Sequence, residues 1–348
     1  MVTPIPLPPR SSFGRATTPK KNPDPMTFSL DTHWVWDFWL ADDGDLFHMF
    51  YLHAPKSLGD QHLRHRNAKI GHATSRDLRV WTDLGVVLEP GSEGSFDETA
   101  TWTGSILRGP DGQWRMFYTG TRFLGPDTHT NVETVGVAIS TDLHTWTKAP
   151  GPITQADSRW YETLGDSGWP EEAWRDPWVF ADPDGNGWHM LVTARANEGD
   201  EIDRGVIGHA TSHDLETWHV QPPLSLPGAG FAHLEVPQVT LIGDRTVLLF
   251  SCDSQTLAGT RKGETGGIWV AELDSATALY PVGQATLLTD ESLYSGRLVR
   301  DRTGEWVLLA FRNHTDNDEF VGMLSDPHPI DWPANDGAPS LAMRAGRA

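Results

Sequence analysis

The chain has 348 residues, room for one large domain or two ordinary ones, and its 38% hydrophobic content is that of a soluble globular protein. A formal net charge of −20 repels phosphate backbones and anionic lipid, which argues against nucleic acid and membrane surfaces as partners. Cys252 is the only cysteine, so no intrachain disulfide can form, and no apolar run reaches the length of a membrane-spanning helix.

Residues 1–26 are rich in proline, which interrupts every apolar run. They read as an extended or disordered lead rather than a secretory signal, with Met26 as the natural start and a cytoplasmic location as the expectation. From residue 27 to about 335 the chain repeats itself. "VWDFWLADDGDLFHMFYLHA" is a strand, an Asp-Gly turn and a second strand, and "IGHATSRDLRVW" (70–81) follows as a third strand and a Ser-x-Asp turn. The second unit is "WTGSILRGPDGQWRMFYTGT" (102–121) with "VGVAISTDLHTW" (135–146), and the third is "RDPWVFADPDGNGWHMLVTAR" (175–195) with "IGHATSHDLETW" (207–218). The fourth, "EVPQVTLIGDRTVLLFSCD" (235–253), has a decayed partner in "IWVAELDSA" (268–276), and the fifth, "SGRLVRDRTGEWVLLAFRN" (295–313), is followed by "VGMLSDPHPIDW" (321–332). Each unit makes one four-stranded blade, so the expected fold is an all-β, five-bladed β-propeller with its active site in the axial funnel. Residues 336–348 read as a C-terminal tail.

Positions shared by the blades should be structural. The Ser-x-Asp side chains should cap turns, and Trp81, Trp146 and Trp218 should pack between blades. Positions that break the pattern are candidates for function. The first strand of blade one carries Asp37, that of blade three Asp176 and that of blade four Glu235. They stand seven, nine and eight residues before the hairpin glycines Gly44, Gly185 and Gly243, so all three belong near the funnel end of innermost strands. Strand alternation places Trp36 and Phe38 on the face opposite Asp37 and Trp39 on its own face. Converging carboxyls raise at least one pKa, and a pair with split pKa values is what glycoside cleavage requires.

These residues carry a resemblance. "VWDFW", "WTGS" (102–105), "WRDP" (174–177), "LEVP" (234–237) and "YSGR" (294–297), each on its own blade and in this order, resemble the furanosidase propellers of glycoside hydrolase families 32 and 68, and more distantly family 43. The resemblance implies a β-fructofuranosidase or fructosyltransferase that works with retention through a covalent glycosyl-Asp intermediate. Asp37 would be the nucleophile, Glu235 the general acid/base and Asp176 the stabiliser that binds ring hydroxyls. Arg175 would bind those hydroxyls or orient a carboxylate, Tyr294 would orient Glu235, and Trp36, Trp102, Thr103 and Ser105 would shape the sugar pocket. The Trp-x-Asn-Asp-Pro-Asn opening of family 32 is absent, and Val236 replaces its usual cysteine. The alternatives are an inverting arabinofuranosidase or xylosidase of the family 43 type, and a sugar-binding propeller without turnover.

A small carbohydrate is the expected partner, with no cofactor and no metal. "DPDGNG" (182–187) imitates half a calcium loop but lacks the closing glutamate and reads as a turn. "HLRH" (62–65) offers no third ligand and lies in an insertion, residues 55–69, whose plain reading is a solvated loop and whose alternative is an overhang on the pocket rim. Asp97, Glu98, His33 and His233 are weaker candidates.

Overall fold

Period-two apolar runs broken by turn residues give strands throughout. In the computed structural model, which describes residues 28–315, 319–332 and 339–341, they form five antiparallel sheets. Blade one contains β1 (His33–Asp42), β2 (Phe47–Pro55), β3 (Lys69–Ser75) and β4 (Trp81–Leu88), paired in that order. Blade two contains β5 (Ala100–Arg108), β6 (Trp114–Phe123), β7 (Asn131–Ser140) and β8 (Thr147–Lys148), with β9 (Glu171–Glu172) pairing parallel to β7. Blade three contains β10 (Trp174–Ala181), β11 (Trp188–Arg195), β12 (Gly205–Ser212) and β13 (His219–Gln221). Blade four contains β14 (Glu235–Ile242), β15 (Arg245–Cys252), β16 (Gly267–Leu273) and β17 (Thr286–Asp290). The architecture is the five-bladed propeller that the repeats predict.

Blade five departs from the repeat. Its third strand is split into β20 (Phe320–Leu324) and β21 (His328–Asp331), both paired with β19 (Trp306–His314), while β18 (Leu293–Arg300) is innermost. Here Asp326 follows Ser325 directly, without the intervening residue of a Ser-x-Asp turn, and proline follows. The outermost strand, β22 (Ser340–Leu341), pairs with β21 and lies within the stretch read as a tail.

The recurrent motif does what a turn requires. Asp77, Asp142 and Asp214 each take two backbone N–H groups on one carboxylate oxygen, at 2.7–2.9 Å. The leucine after each aspartate adopts a left-handed conformation, with φ of 62°, 64° and 65° at Leu78, Leu143 and Leu215. That conformation costs about 1–2 kcal/mol in an L-residue. Burying the leucine side chain returns about 1.5–3 kcal/mol, and all three are 1% exposed, so burial outweighs the strain. Trp146 and Trp218 pack edge-on against Phe50 and Phe117 of the preceding blade, with centroids 5.5 and 5.7 Å apart. Trp81 packs against the cluster that joins blade one to blade five.

The ring closes without a shared strand among the described residues. Arg302 of blade five pairs bidentately with Asp42 of blade one at 2.6 and 2.9 Å. Phe320 N donates to Gln61 Oε1 at 2.9 Å, and Leu324 N donates to the carbonyl of Phe28 at 2.9 Å.

Candidate active site

All five innermost strands lose register near their N-terminal ends. The shifts fall between Val35 and Phe38, Trp102 and Gly104, Arg175 and Trp178, Glu235 and Gln238, and Tyr294 and Arg297. A bulge leaves residues unpaired and re-aims their side chains. At three of these bulges a non-glycine residue takes a positive φ: 59° at Asp176, 53° at Val236 and 49° at Ser295. Such residues cost about 1–3 kcal/mol each and persist only where the surroundings hold them. Each N–H freed by the distortion is accepted by a side chain of the preceding blade. Asp176 N donates to Thr119 Oγ1 at 2.9 Å, Val236 N to Asp176 Oδ2 at 3.2 Å and Ser295 N to Ser251 Oγ at 3.0 Å.

The bulges correct one expectation. Alternation places Trp36 opposite Asp37, yet both line one cavity, because the bulge breaks the alternation at these two residues. Phe38 points into one core cluster and Trp39 into another, to which Trp36 also belongs. The three acids reach the shared cavity from different register positions. In register Glu235 matches Arg175, whereas Asp176 matches Val236.

The cavity holds about 680 Å³, and Asp37, Asp176, Glu235, Arg175, Trp36, Trp102, Thr103 and Tyr294 all line it. Asp37 receives the Thr103 hydroxyl on Oδ2 and the Ser295 hydroxyl on Oδ1, the latter at 2.7 Å. Burial pushes its carboxyl up, and the two hydroxyls oppose the shift. Asp176 receives the Thr193 hydroxyl on Oδ2 at 2.8 Å. Burial raises its pKa to about 6, against the pull of Arg175. Glu235 is held at both oxygens: Arg175 Nη2 donates to Oε1 at 2.7 Å and Tyr294 Oη to Oε2 at 2.6 Å.

Arg175 is the electrostatic hub. It is 7% exposed, and beyond Glu235 it donates to Glu133 Oε2 at 3.1 Å and His233 Nδ1 at 3.1 Å. Burial alone would lower its pKa, but Glu133, Glu235, Glu171 and Asp176 hold it charged. Glu133 is fully buried, and desolvation drives its pKa upward despite Arg175. Arg297 lies beneath the cavity, 2% exposed. It donates to the carbonyls of Phe38, Val236, Pro237 and Gly104 at 3.0–3.4 Å. One guanidinium from blade five thus ties the inner strands of blades one, two and four; burial brings its pKa down to about 10, against the support of Asp176 and Asp37.

Ser105 lies elsewhere. Its hydroxyl accepts Val179 N at 3.2 Å between blades two and three, away from the cavity. The insertion 55–69 forms two 3₁₀ turns, Lys56–Leu58 and Gln61–Asn67, and brings Arg64 and His65 to the cavity wall, so the overhang is what forms. Asp97 is buried under Lys148 and the Tyr118 hydroxyl, Glu98 holds Gly94 N, and His33 packs on His53, all outside the cavity. In "DPDGNG", Asp182 caps its own hairpin and contacts His189. Among the described residues no group of three or more His, Cys, Asp or Glu side chains could hold a metal ion.

The model of the glycosyl hydrolases family 32 N-terminal domain matches residues 39–337. The chain belongs to glycosyl hydrolase family 32. The match opens two residues past Asp37, where the sequence lacks the usual family 32 opening. Similar proteins include a sucrose-6-phosphate hydrolase of Zymomonas mobilis subsp. mobilis, 26% identical over 325 residues, which cover 84% of this chain and 57% of that protein. Raffinose invertase of Escherichia coli is 26% identical over 315 residues, 84% of this chain and 60% of that protein. The family 32 chain described here therefore spans less than two thirds of either relative. Among solved structures, inulosucrase from Halalkalicoccus jeotgali bound to kestose aligns with a TM-score of 0.72 at 24% identity, over 88% of this chain and 86% of that one. Levansucrase from Gluconacetobacter diazotrophicus aligns with a TM-score of 0.71 at 18% identity, over 93% and 83%. At these identities the likeness establishes the fold.

Sequence reading did not single out Ser295, Arg297, Glu133, Glu171, Arg64 or His65 for the site. Ser295 and Arg297 stand inside "YSGR", whose resemblance bears on Tyr294 alone. Glu133 and Glu171 carry no local signal.

Proposed function

We propose that the chain cleaves a β-fructofuranoside with retention of configuration. The observation that carries this reading is the convergence of Asp37, Asp176 and Glu235 on one cavity, with Glu235 gripped by Arg175 and Tyr294. In the first step an Oδ of Asp37 attacks the anomeric carbon, the bond to the leaving oxygen breaks, and the proton of Glu235 passes to that oxygen. In the second step Glu235 takes a proton from water, or from an acceptor sugar's hydroxyl, whose oxygen displaces Asp37. Among the described residues the hydrogen bonds to Asp176 fall on Oδ2, which leaves Oδ1 for ring hydroxyls. Trp36 and Trp102 offer flat apolar walls, and Trp102 is fixed by its Nε1 donating to the carbonyl of His65 at 2.7 Å.

The test is to incubate the chain with sucrose, levan-type and inulin-type oligosaccharides and aryl arabinofuranosides, following released sugars and their anomeric form by NMR. Fructose released first as the β-anomer supports the reading. Release of arabinose alone, or of an inverted product, would sink it. So would near-normal turnover in Asp37→Asn.

A further inference from the structure

Arg175 reaches Glu235 through one nitrogen, and that nitrogen has two hydrogens to place. Nη1 faces Glu133 Oε2 at 3.1 Å and Glu171 Oε2 at 3.5 Å, and Nε lies 3.6 Å from Asp176 Oδ2. Three carboxyl groups therefore compete with Glu235 for the guanidinium. Nη2 donates one hydrogen to Glu235 Oε1 at 2.7 Å and the other to His233 Nδ1 at 3.1 Å. The N–H groups of a guanidinium form a rigid planar fork. Holding one hydrogen of Nη2 thus fixes the direction of the other.

His233 is well placed to hold it. It stands two residues before Glu235 on the lead into β14, is 4% exposed and lies outside the cavity lining. The carbonyls on either side of it are tied to blade three. That of Ala232 takes Arg195 Nη1 at 3.0 Å, and that of Leu234 takes Thr193 Oγ1 at 3.0 Å. The ring packs edge-on against Trp169, with centroids 5.2 Å apart. An arginine only donates, so Nδ1 is the accepting nitrogen and the ring hydrogen sits on Nε2. Nε2 is buried without a hydrogen-bond partner among the described residues, and Glu171 Oε2 is 3.7 Å from it. Burial, then Arg175 and Arg195, push the pKa of the ring well below its ordinary value, so His233 is a neutral acceptor.

We infer that His233 is a positioning residue for the proposed acid/base: it takes one hydrogen of Arg175 Nη2 and so aims the other at Glu235 Oε1. The inference rests on the fructosidase reading above. It gives His233 no proton to transfer and no contact with the substrate. A neutral acceptor suits this task, because it holds the hydrogen without setting another negative charge beside Glu235.

The experiment is steady-state kinetics on sucrose with His233→Asn, His233→Gln and His233→Leu, with a melting curve to show that each variant is folded. The oxygen of an asparagine stands about where Nδ1 does, since both are bonded to Cγ. A glutamine amide stands about where Nε2 does, and leucine accepts nothing. Expected is a kcat that His233→Asn largely keeps and that His233→Gln and His233→Leu lose by about tenfold or more, the scale of one hydrogen bond to a charged group, with KM little changed. Should His233→Leu fail to fold, the comparison of Asn with Gln carries the test alone. An equal kcat in the variants, whether high or low, or a higher kcat in Gln or Leu than in Asn, overturns the inference and leaves the fructosidase reading standing, because the wild type still turns over sucrose. If the wild type cleaves no fructoside, the fructosidase reading fails, and crystal structures of His233→Asn and His233→Gln decide the inference separately. The contact of Arg175 Nη2 with Glu235 kept in Asn and lost in Gln supports it; any other pattern overturns it.

Discussion

Asp37 is held by two hydroxyls that oppose the effect of its burial, and removing one should be visible in the pH profile. Thr103→Val replaces the donor on Oδ2 with a methyl of similar size. A hydrogen bond to a charged group contributes about 1.5–3 kcal/mol, and one pKa unit corresponds to about 1.4 kcal/mol, so the Asp37 pKa should rise by about one to two units. As the proposed nucleophile Asp37 must be ionised, so the acid limb of kcat/KM moves to higher pH by that amount and activity is lost first at the acidic end. Sucrose is a suitable substrate because it does not titrate in this range. Thr103→Ser keeps the donor and should leave the limb in place. Ser295→Gly removes the other hydroxyl and also relieves the φ of 49°, so it should shift the limb without a penalty from backbone strain. An acid limb that stays at its wild-type pH in both Thr103→Val and Ser295→Gly would refute the reasoning, whatever happens to the plateau.

Three further outcomes follow from the same contacts. Tyr294→Phe frees Glu235 Oε2 and should lower kcat by about 10- to 100-fold, the equivalent of a hydrogen bond of about 1.5–3 kcal/mol to a charged group, with little change in KM; steady-state kinetics on sucrose checks it. Arg175→Lys offers a single ammonium where a planar guanidinium meets Glu133, Glu235 and His233. It should cost both activity and thermal stability, because breaking up a buried ion pair costs about 3–5 kcal/mol, and a melting curve reads the second effect. Asp214 has its pKa depressed to about 2, chiefly by the Thr217 and Glu216 N–H groups. Its ionised form stabilises the fold above the ordinary aspartate range, and that contribution is lost as pH falls through about 2. Asp214→Ala should therefore melt below the wild type at neutral pH, with the gap closing on acidification, as measured by thermal scans across pH.

The blade repeat was legible because turn chemistry is local. Asp-Gly at a hairpin or Ser-x-Asp before a buried leucine states its conformation within a few residues, and the chain states it several times. The acids were legible because Asp37, Asp176 and Glu235 interrupt apolar strands that otherwise recur. What the sequence concealed depends on contacts across blades. Glu133 matters because Arg175, 42 residues on, reaches it, and nothing beside Glu133 announces this. The bulges were hidden for a related reason. A strand reads as strict alternation until a bulge re-aims its side chains, which is why alternation alone misplaces Trp36. Ser105 shows the converse, since a residue in a recognisable motif serves to join two blades and not to line the cavity.

The two ends of the propeller meet at blades one and five, and one contact across that seam is the Ser295 hydroxyl on Asp37. The proposed nucleophile therefore draws a stabilising hydrogen bond from across the seam. A small parting of these two blades takes that hydroxyl from the carboxylate before any sheet has lost a strand. Warming should then silence the chain while its β-structure is still intact, which makes turnover a finer gauge of ring integrity than any measure of secondary structure.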